Sequence, residues 1–204
     1  MIMKETPIFE EVFSRMLGSS GFWLKVLVGG LLSFVPVVNF FAFGYLLRLS
    51  QNVRRSGRVS LPDWDGWAEL FTDGLRFAVV WLVYWLLPIL LAFAISAVIG
   101  LVGLGALSYL VVSLAFVLSP ILFGAALYRY NRRADFKDLL DLPLIIRMSY
   151  GAFPRLIIPA LTFAGIFAVA APLYGFAFFL GFIVLIVQSS LCFRAIERPR
   201  KVAP

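Results

Sequence analysis

Three stretches of this chain contain no Asp, Glu, Lys or Arg: residues 26–47, 77–128 and 156–193, which are 22, 52 and 38 residues long. Nothing else in the sequence limits the fold as much. A bilayer core of about 30 Å takes about 20 helical residues to cross, so the blocks have room for one, two and two crossings. The third is tight for two, and its helices are expected to be short or to cross incompletely. Hydrocarbon offers the backbone no hydrogen-bond partner, which leaves helices or a closed barrel. Barrel strands alternate polar and apolar residues, and these blocks do not. At 62% hydrophobic and 14% charged residues, the whole chain lies outside the range of soluble domains. The expectation is an all-α integral membrane protein with about five transmembrane helices, at 22–48, 77–99, 102–128, 155–172 and 174–194. They form a single membrane domain over 1–204, with no internal linker.

A net charge of +7 could suggest nucleic acid, but the distribution of the charge argues against it. Fifteen of the 18 basic residues fall within 48–76, 129–155 and 194–201, and the turns near 100–105 and 172–175 carry none. That is the positive-inside pattern, which places the basic loops and the C-terminus in the cytoplasm. The first 21 residues lack a signal-peptide pattern, so the first apolar block is expected to remain as an anchor. The lone Cys192 reads as a small buried hydrophobe.

Along the chain, residues 7–18 predict a short amphipathic helix opened by Thr6 and Pro7, lying in the interface or packed on the rest of the protein. Pro36, inside the first apolar block, is incompatible with a straight helix. Two arrangements remain open there: a kinked crossing, favoured because the block matches one membrane thickness, or a helical hairpin that would make six membrane segments. Residues 61–76 predict an in-plane cytoplasmic helix capped by Asp63. Trp64, Trp67, Ala68, Phe71 and Leu75 would lie on its apolar side, with Asp65, Glu69 and Asp73 opposite. A second interfacial segment is expected at 135–150, cut into short pieces by Pro143 and Pro154. Pro88, Pro120 and Pro159, like Pro36, are expected helix kinks. The order of membrane helix, basic collar, surface helix and membrane helix recurs, which suggests a parallel tandem repeat.

The chain has no histidine, which removes His-based acid–base and nucleophilic catalysis. It has no phosphate loop and no Cys/His cluster for a transition metal. Asp135, Asp138 and Asp141 read as solvated surface acids, so no metal, no cofactor and no enzymatic activity is expected. Within the apolar blocks Asn39 and Gln188 are the strongest polar groups. They would either bond helix to helix or line a narrow uncharged pathway. The collar residues Arg48, Arg54, Arg55, Arg58, Arg129, Arg132 and Arg133, with Trp64 and Trp67, are the candidates for binding anionic headgroups or a protein partner.

The motif Gly44-Tyr45-x-x-Arg48, a basic run to Gly57, and then Leu61-Pro62-x-Trp64-Asp65-x-Trp67-x-x-Leu70-Phe71-x-Asp73-Gly74-Leu75 is similar to that of the bacterial and archaeal membrane proteins grouped as domain-of-unknown-function family 4013. The resemblance implies a multi-pass protein of the cytoplasmic membrane and brings no catalytic residues. The expected function is a non-enzymatic accessory or organising subunit that engages anionic lipid or a protein partner through the collars. The alternative is a passive channel or permease, oligomeric, using Asn39 and Gln188.

Overall fold

The computed structural model describes residues 9–197, and among them every regular element is helical. The helices are α1 (Phe9–Leu17), α2 (Phe22–Ser33), α3 (Asn39–Ser56), α4 (Trp67–Trp81), α5 (Leu87–Leu101), α6 (Gly105–Arg133), α7 (Leu142–Val169) and α8 (Tyr174–Glu197). Among the described residues, four stretches are long and apolar enough to cross a membrane: Trp67–Leu101, Gly105–Arg133, Leu142–Val169 and Ala171–Glu197. A fifth arises if α1 and α2, bent by 90°, count as one span. The expected start at Thr6 and Pro7, and the tail charges Arg198, Arg200 and Lys201, lie outside the described residues.

The core is built around α8, in which every residue from 181 to 190 is buried. Its neighbours can be read in register. Tyr45 packs on Phe179 with the rings tilted, and Ser50 meets Ser190, so α3 runs parallel to α8. Phe123 packs on Phe182 and Tyr128 on Phe193, so α6 is also parallel to it. Phe163 packs on Phe182 and Phe167 on Phe178, so α7 runs antiparallel. The C-terminal ends of α3, α6 and α8 therefore converge, bringing Arg54, Arg55, Arg129, Arg132, Arg133 and Arg194 to one end. At the other end Tyr174 donates to the Phe34 carbonyl at 2.9 Å, among segments with no ionisable Asp, Glu, Lys or Arg.

The Pro36 segment turns back, so the favoured kinked crossing is corrected to the hairpin. Residues 34–38 form the turn, with Val37 in the left-handed region at φ 71°. Lys25, near the start of α2, donates to the Leu61 carbonyl at 3.2 Å and pairs with Asp63 at 2.8 Å, both beyond the end of α3. The two helices are thus antiparallel, and the expected single helix at 22–48 is two. At 12 residues, α2 is about 18 Å long, shorter than a bilayer core.

Neither surface segment is a separate in-plane helix. Residues 57–66 are irregular, and the helix that opens at Gly66 (φ 59°) runs from Trp67 to Leu101. Asp63 does not cap it, because the helix begins four residues later with Gly66 at the cap position; the Asp63 carboxylate pairs with Lys25 instead. The amphipathic period is real but has three sides: Leu70, Gly74 and Phe77 are buried on α3, the acids turn to Arg48, and Trp67 and Leu75 stay about half exposed. Just before Pro88 the helix widens into a π turn, Leu82–Leu86, which accommodates the missing donor without a break.

Likewise α7 runs unbroken from Leu142 through Pro154 and Pro159, preceded by one 3₁₀ turn, Phe136–Leu139. Pro154 was expected to stop it, but the carbonyl that proline leaves unpaired belongs to Tyr150, an exposed residue whose backbone can find other partners. Pro120 sits inside continuous α6 in the same way. Finally α1 lays Val12 and Met16 against the core, beside Val184 and Gln188 of α8, which is the packed arrangement of the two expected for it.

Candidate functional site

The motif between residues 44 and 75 resolves into a lock between α3 and α4. Gly44 faces the Leu70 carbonyl and Gly74 faces the Phe40 carbonyl, so a Cβ at either position would collide with backbone. Two glycines exchanged this way let antiparallel helices approach backbone to backbone. Trp64 stacks on Tyr45 with ring centroids 4.3 Å apart, and Trp67 stacks beside Trp64. Arg48 pairs with Asp65 (3.1 Å), Glu69 (3.6 Å) and Asp73 (3.5 Å), the whole acidic row of α4 and its approach. Gly57 takes φ 71°, and the Arg194 guanidinium lies where its Cβ would stand; that guanidinium donates to the Arg54 carbonyl at 2.9 Å. Arg48 and Trp64 are therefore spent on holding the fold, while Arg55 and Arg58 stay exposed with no carboxylate in ion-pairing range among the described residues.

The second collar is built differently. A cavity of about 670 Å³ opens between the ends of α6, α7 and α8. Arg129 and Arg132 come from α6, and Arg147 and Arg155 from α7; Leu144, Met148, Phe193 and Ile196 form apolar walls. Arg129 pairs with Asp138 at 3.2 Å, and Arg132 with Glu197 at 3.3 Å. The Tyr128 hydroxyl also donates to Glu197. Arg147 and Arg155 have no carboxylate partner among the described residues. The α7 face that packs on the core carries Ile145, Ser149, Ala152 and Leu156, which leaves the neighbouring stripe of Arg147, Gly151 and Arg155 to face the cavity. The space thus combines uncompensated guanidinium groups with an apolar wall. Chemically it suits an anion attached to a hydrocarbon body.

Arg133 is exposed at the same end but lies outside the cavity lining. Arg147 and Arg155 were missed as site residues because a helix ended at Pro154 cannot carry both. Their spacing of eight residues on one helix was the available signal. Asn39 and Gln188 are not brought together. Asn39 borders a separate cavity of about 370 Å³ with Phe43, Trp81, Trp85 and Phe178. Gln188 is buried against α1. Asp135 accepts from the Lys137 amide, Asp138 holds Arg129, and Asp141 caps α7 at the Leu144 amide, so each of the three acids has a local structural use. A buried polar knot joins three helices: Asn131 of α6 donates to Ser50 of α3 at 2.7 Å, and Ser50 bonds Ser190 of α8 at 3.3 Å.

Compared with known proteins, residues 28–193 match the model of one family, described as a protein of unknown function, DUF4013. No curated protein and no solved structure matches the chain.

Proposed function

The chain belongs to the DUF4013 family, and on that footing we propose that it is a non-enzymatic, multi-pass protein of a bacterial or archaeal cytoplasmic membrane that gathers anionic lipid at its basic end. Gathered lipid then serves as the platform on which it acts as an organising or accessory subunit. One observation carries this reading. At the end where α3, α6 and α8 converge, Arg55, Arg58, Arg133, Arg147 and Arg155 have no carboxylate within ion-pairing distance among the described residues, whereas Arg48, Arg129 and Arg132 do. Positive charge in excess of what the fold uses, held at headgroup depth, attracts anionic lipid by about 1 kcal/mol per residue near the surface. Positive-inside orientation puts that end in the cytoplasm.

The test is lipid retention by the intact chain in mild detergent, offered equal amounts of phosphatidylglycerol and phosphatidylethanolamine and read by native mass spectrometry. The expected result is several-fold enrichment of the anionic lipid, which falls as salt rises and falls again when Arg55, Arg58, Arg147 and Arg155 are changed to Gln together. Equal retention of both lipids by the unaltered chain sinks the reading. A passive pathway through Asn39 and Gln188 has less support, because the two line separate spaces and α8 fills the centre of the bundle. Solute release from reconstituted liposomes that disappears in Asn39→Leu would favour it instead.

A further inference from the structure

We infer that the cavity between α6, α7 and α8 is a one-to-one site for the headgroup of a lipid bearing a phosphate monoester, an inference that rests on the anionic-lipid reading and names the ligand of one of its sites. The argument is one of charge balance. Asp138 and Glu197 already offset Arg129 and Arg132, which leaves Arg147 and Arg155, both exposed at the cavity, as charges without a protein counterpart among the described residues. From Leu142 to Val169, α7 contains no acidic residue, so nothing on its own helix can do it. A phosphodiester headgroup such as phosphatidylglycerol brings one negative charge. A phosphate monoester brings about −1.5 to −2 at neutral pH, with three strong acceptor oxygens. It can therefore take paired N–H bonds from two guanidinium forks at once.

The walls specify the rest of the molecule. Met148 and Phe193 stand beside the charged groups, so the ligand that leaves least apolar surface wet is one whose phosphate carries a hydrocarbon body. A volume of about 670 Å³ lies within the usual range for small-molecule sites and holds a headgroup with the start of its chains. Arg132 and Glu197, with Tyr128 behind them, form a balanced polar rim that fixes the cavity without supplying surplus charge.

The experiment uses the full chain in detergent micelles, titrated separately with phosphatidic acid, phosphatidylglycerol, glycerol 3-phosphate and inorganic phosphate, with stoichiometry read by native mass spectrometry. Phosphatidic acid is expected to bind one to one and about tenfold more tightly than phosphatidylglycerol, with both water-soluble phosphates weaker than either lipid. Arg147→Gln/Arg155→Gln is expected to weaken phosphatidic acid by at least about tenfold. Arg55→Gln/Arg58→Gln, outside the cavity, should lower the salt-sensitive retention of further anionic lipid while the first phosphatidic acid stays bound one to one. Arg147→Lys/Arg155→Lys, which keeps the charge and the fold but loses the forks, should fall between. If inorganic phosphate binds as tightly as phosphatidic acid, the site is one for a free anion and the lipid assignment is overturned. If the Arg55/Arg58 pair costs as much as the Arg147/Arg155 pair, the cavity assignment fails while the anionic-lipid reading stands. If no anionic lipid is preferred over phosphatidylethanolamine, both fail.

Discussion

At the scale of single residues, most of the family-like motif is structural. Gly44 and Gly74 each lie against the backbone of the facing helix, so a side chain there has to push α3 and α4 apart. Gly44→Val or Gly74→Val is expected to cost about 1–3 kcal/mol, the usual range for overpacking, measured as a lower midpoint in unfolding of the micelle-bound protein by SDS. A midpoint equal to that of the unaltered chain would show that the two helices do not touch there. Arg48 offers a second test, because its side chain and that of Asp73 are only 21% and 17% exposed. Arg48→Met should be destabilising by about 1–2 kcal/mol, since it leaves the poorly exposed Asp73 with Arg76 (3.1 Å) as its remaining partner and takes away the cation shared by Asp65 and Glu69. Adding Asp73→Leu should recover part of that loss. This pairing was only half legible in the sequence. The four-residue rhythm of Asp65, Glu69 and Asp73 was visible, but a row of acids on a helix reads equally well as a solvated face. Only the packing of α3 on α4 turns it toward Arg48. Small residues carry a related ambiguity, and Ala92, Ser96 and Gly100 recur at four-residue spacing along α5. Such spacing permits a close approach, yet nothing lies within 4 Å of the place a Gly100 side chain would occupy. Small residues allow contact, and a neighbour has to be there to make it.

At the scale of elements, helices were legible and their ends were not. Block length correctly indicated apolar helix on either side of the 34–38 turn, but length alone cannot separate one kinked helix from two short ones. The decision lies in contacts far apart in sequence, such as Lys25 with Leu61 and Asp63. The continuous helix from Trp67 to Leu101 was hidden by the change in composition at Arg76. That change marks where the surroundings alter and says nothing about whether the backbone continues. The hairpin has a topological consequence: the start of α2 and the end of α3 lie on one side. Single cysteines at Ser19 and Ser56, in a Cys192→Ser background, are therefore expected to react with an impermeant maleimide from the same face of the membrane. One at Val102 should react only from the other. Labelling of Ser19 and Ser56 positions from opposite faces would restore the kinked crossing. Cys192 is 2% exposed, so the unaltered chain should itself react little with the maleimide and serves as the blank.

At the scale of the molecule, the medium was the most legible property of all, because it depends on sums over long blocks rather than on any contact. The structure adds where the demand for lipid is greatest. Alpha-helix α5 buries only Ile89 and Ala92, and α6 has no buried residue before Ser119, so the hairpin they form leans on little but itself. Leu90, Leu91, Phe93, Ile95, Val98, Leu110 and Leu114 all stand about half exposed or more along it. In water such a ridge would drive aggregation, whereas against hydrocarbon it costs nothing. The charges make the complementary statement, since everything ionised by Asp, Glu, Lys or Arg lies away from the 101–105 turn. Together they describe a molecule with one basic end and an apolar hairpin extending away from it, and the depth of that hairpin in a bilayer can be measured. An aspartate at a helix centre in the membrane costs about 2.5–3.5 kcal/mol to insert, and the cost falls toward the interfaces. Leu91→Asp, in the middle of α5, should therefore sharply reduce the protein recovered from membranes in a monodisperse state. Leu101→Asp, at a tip position that is 90% exposed, should leave recovery close to that of the unaltered chain. Both positions face outward and neither side chain packs in the core, so loss of folding contacts cannot account for a difference between them. Equal recovery of the two would mean that the middle of the hairpin is no deeper in hydrocarbon than its tip, and the orientation drawn here would have to be abandoned.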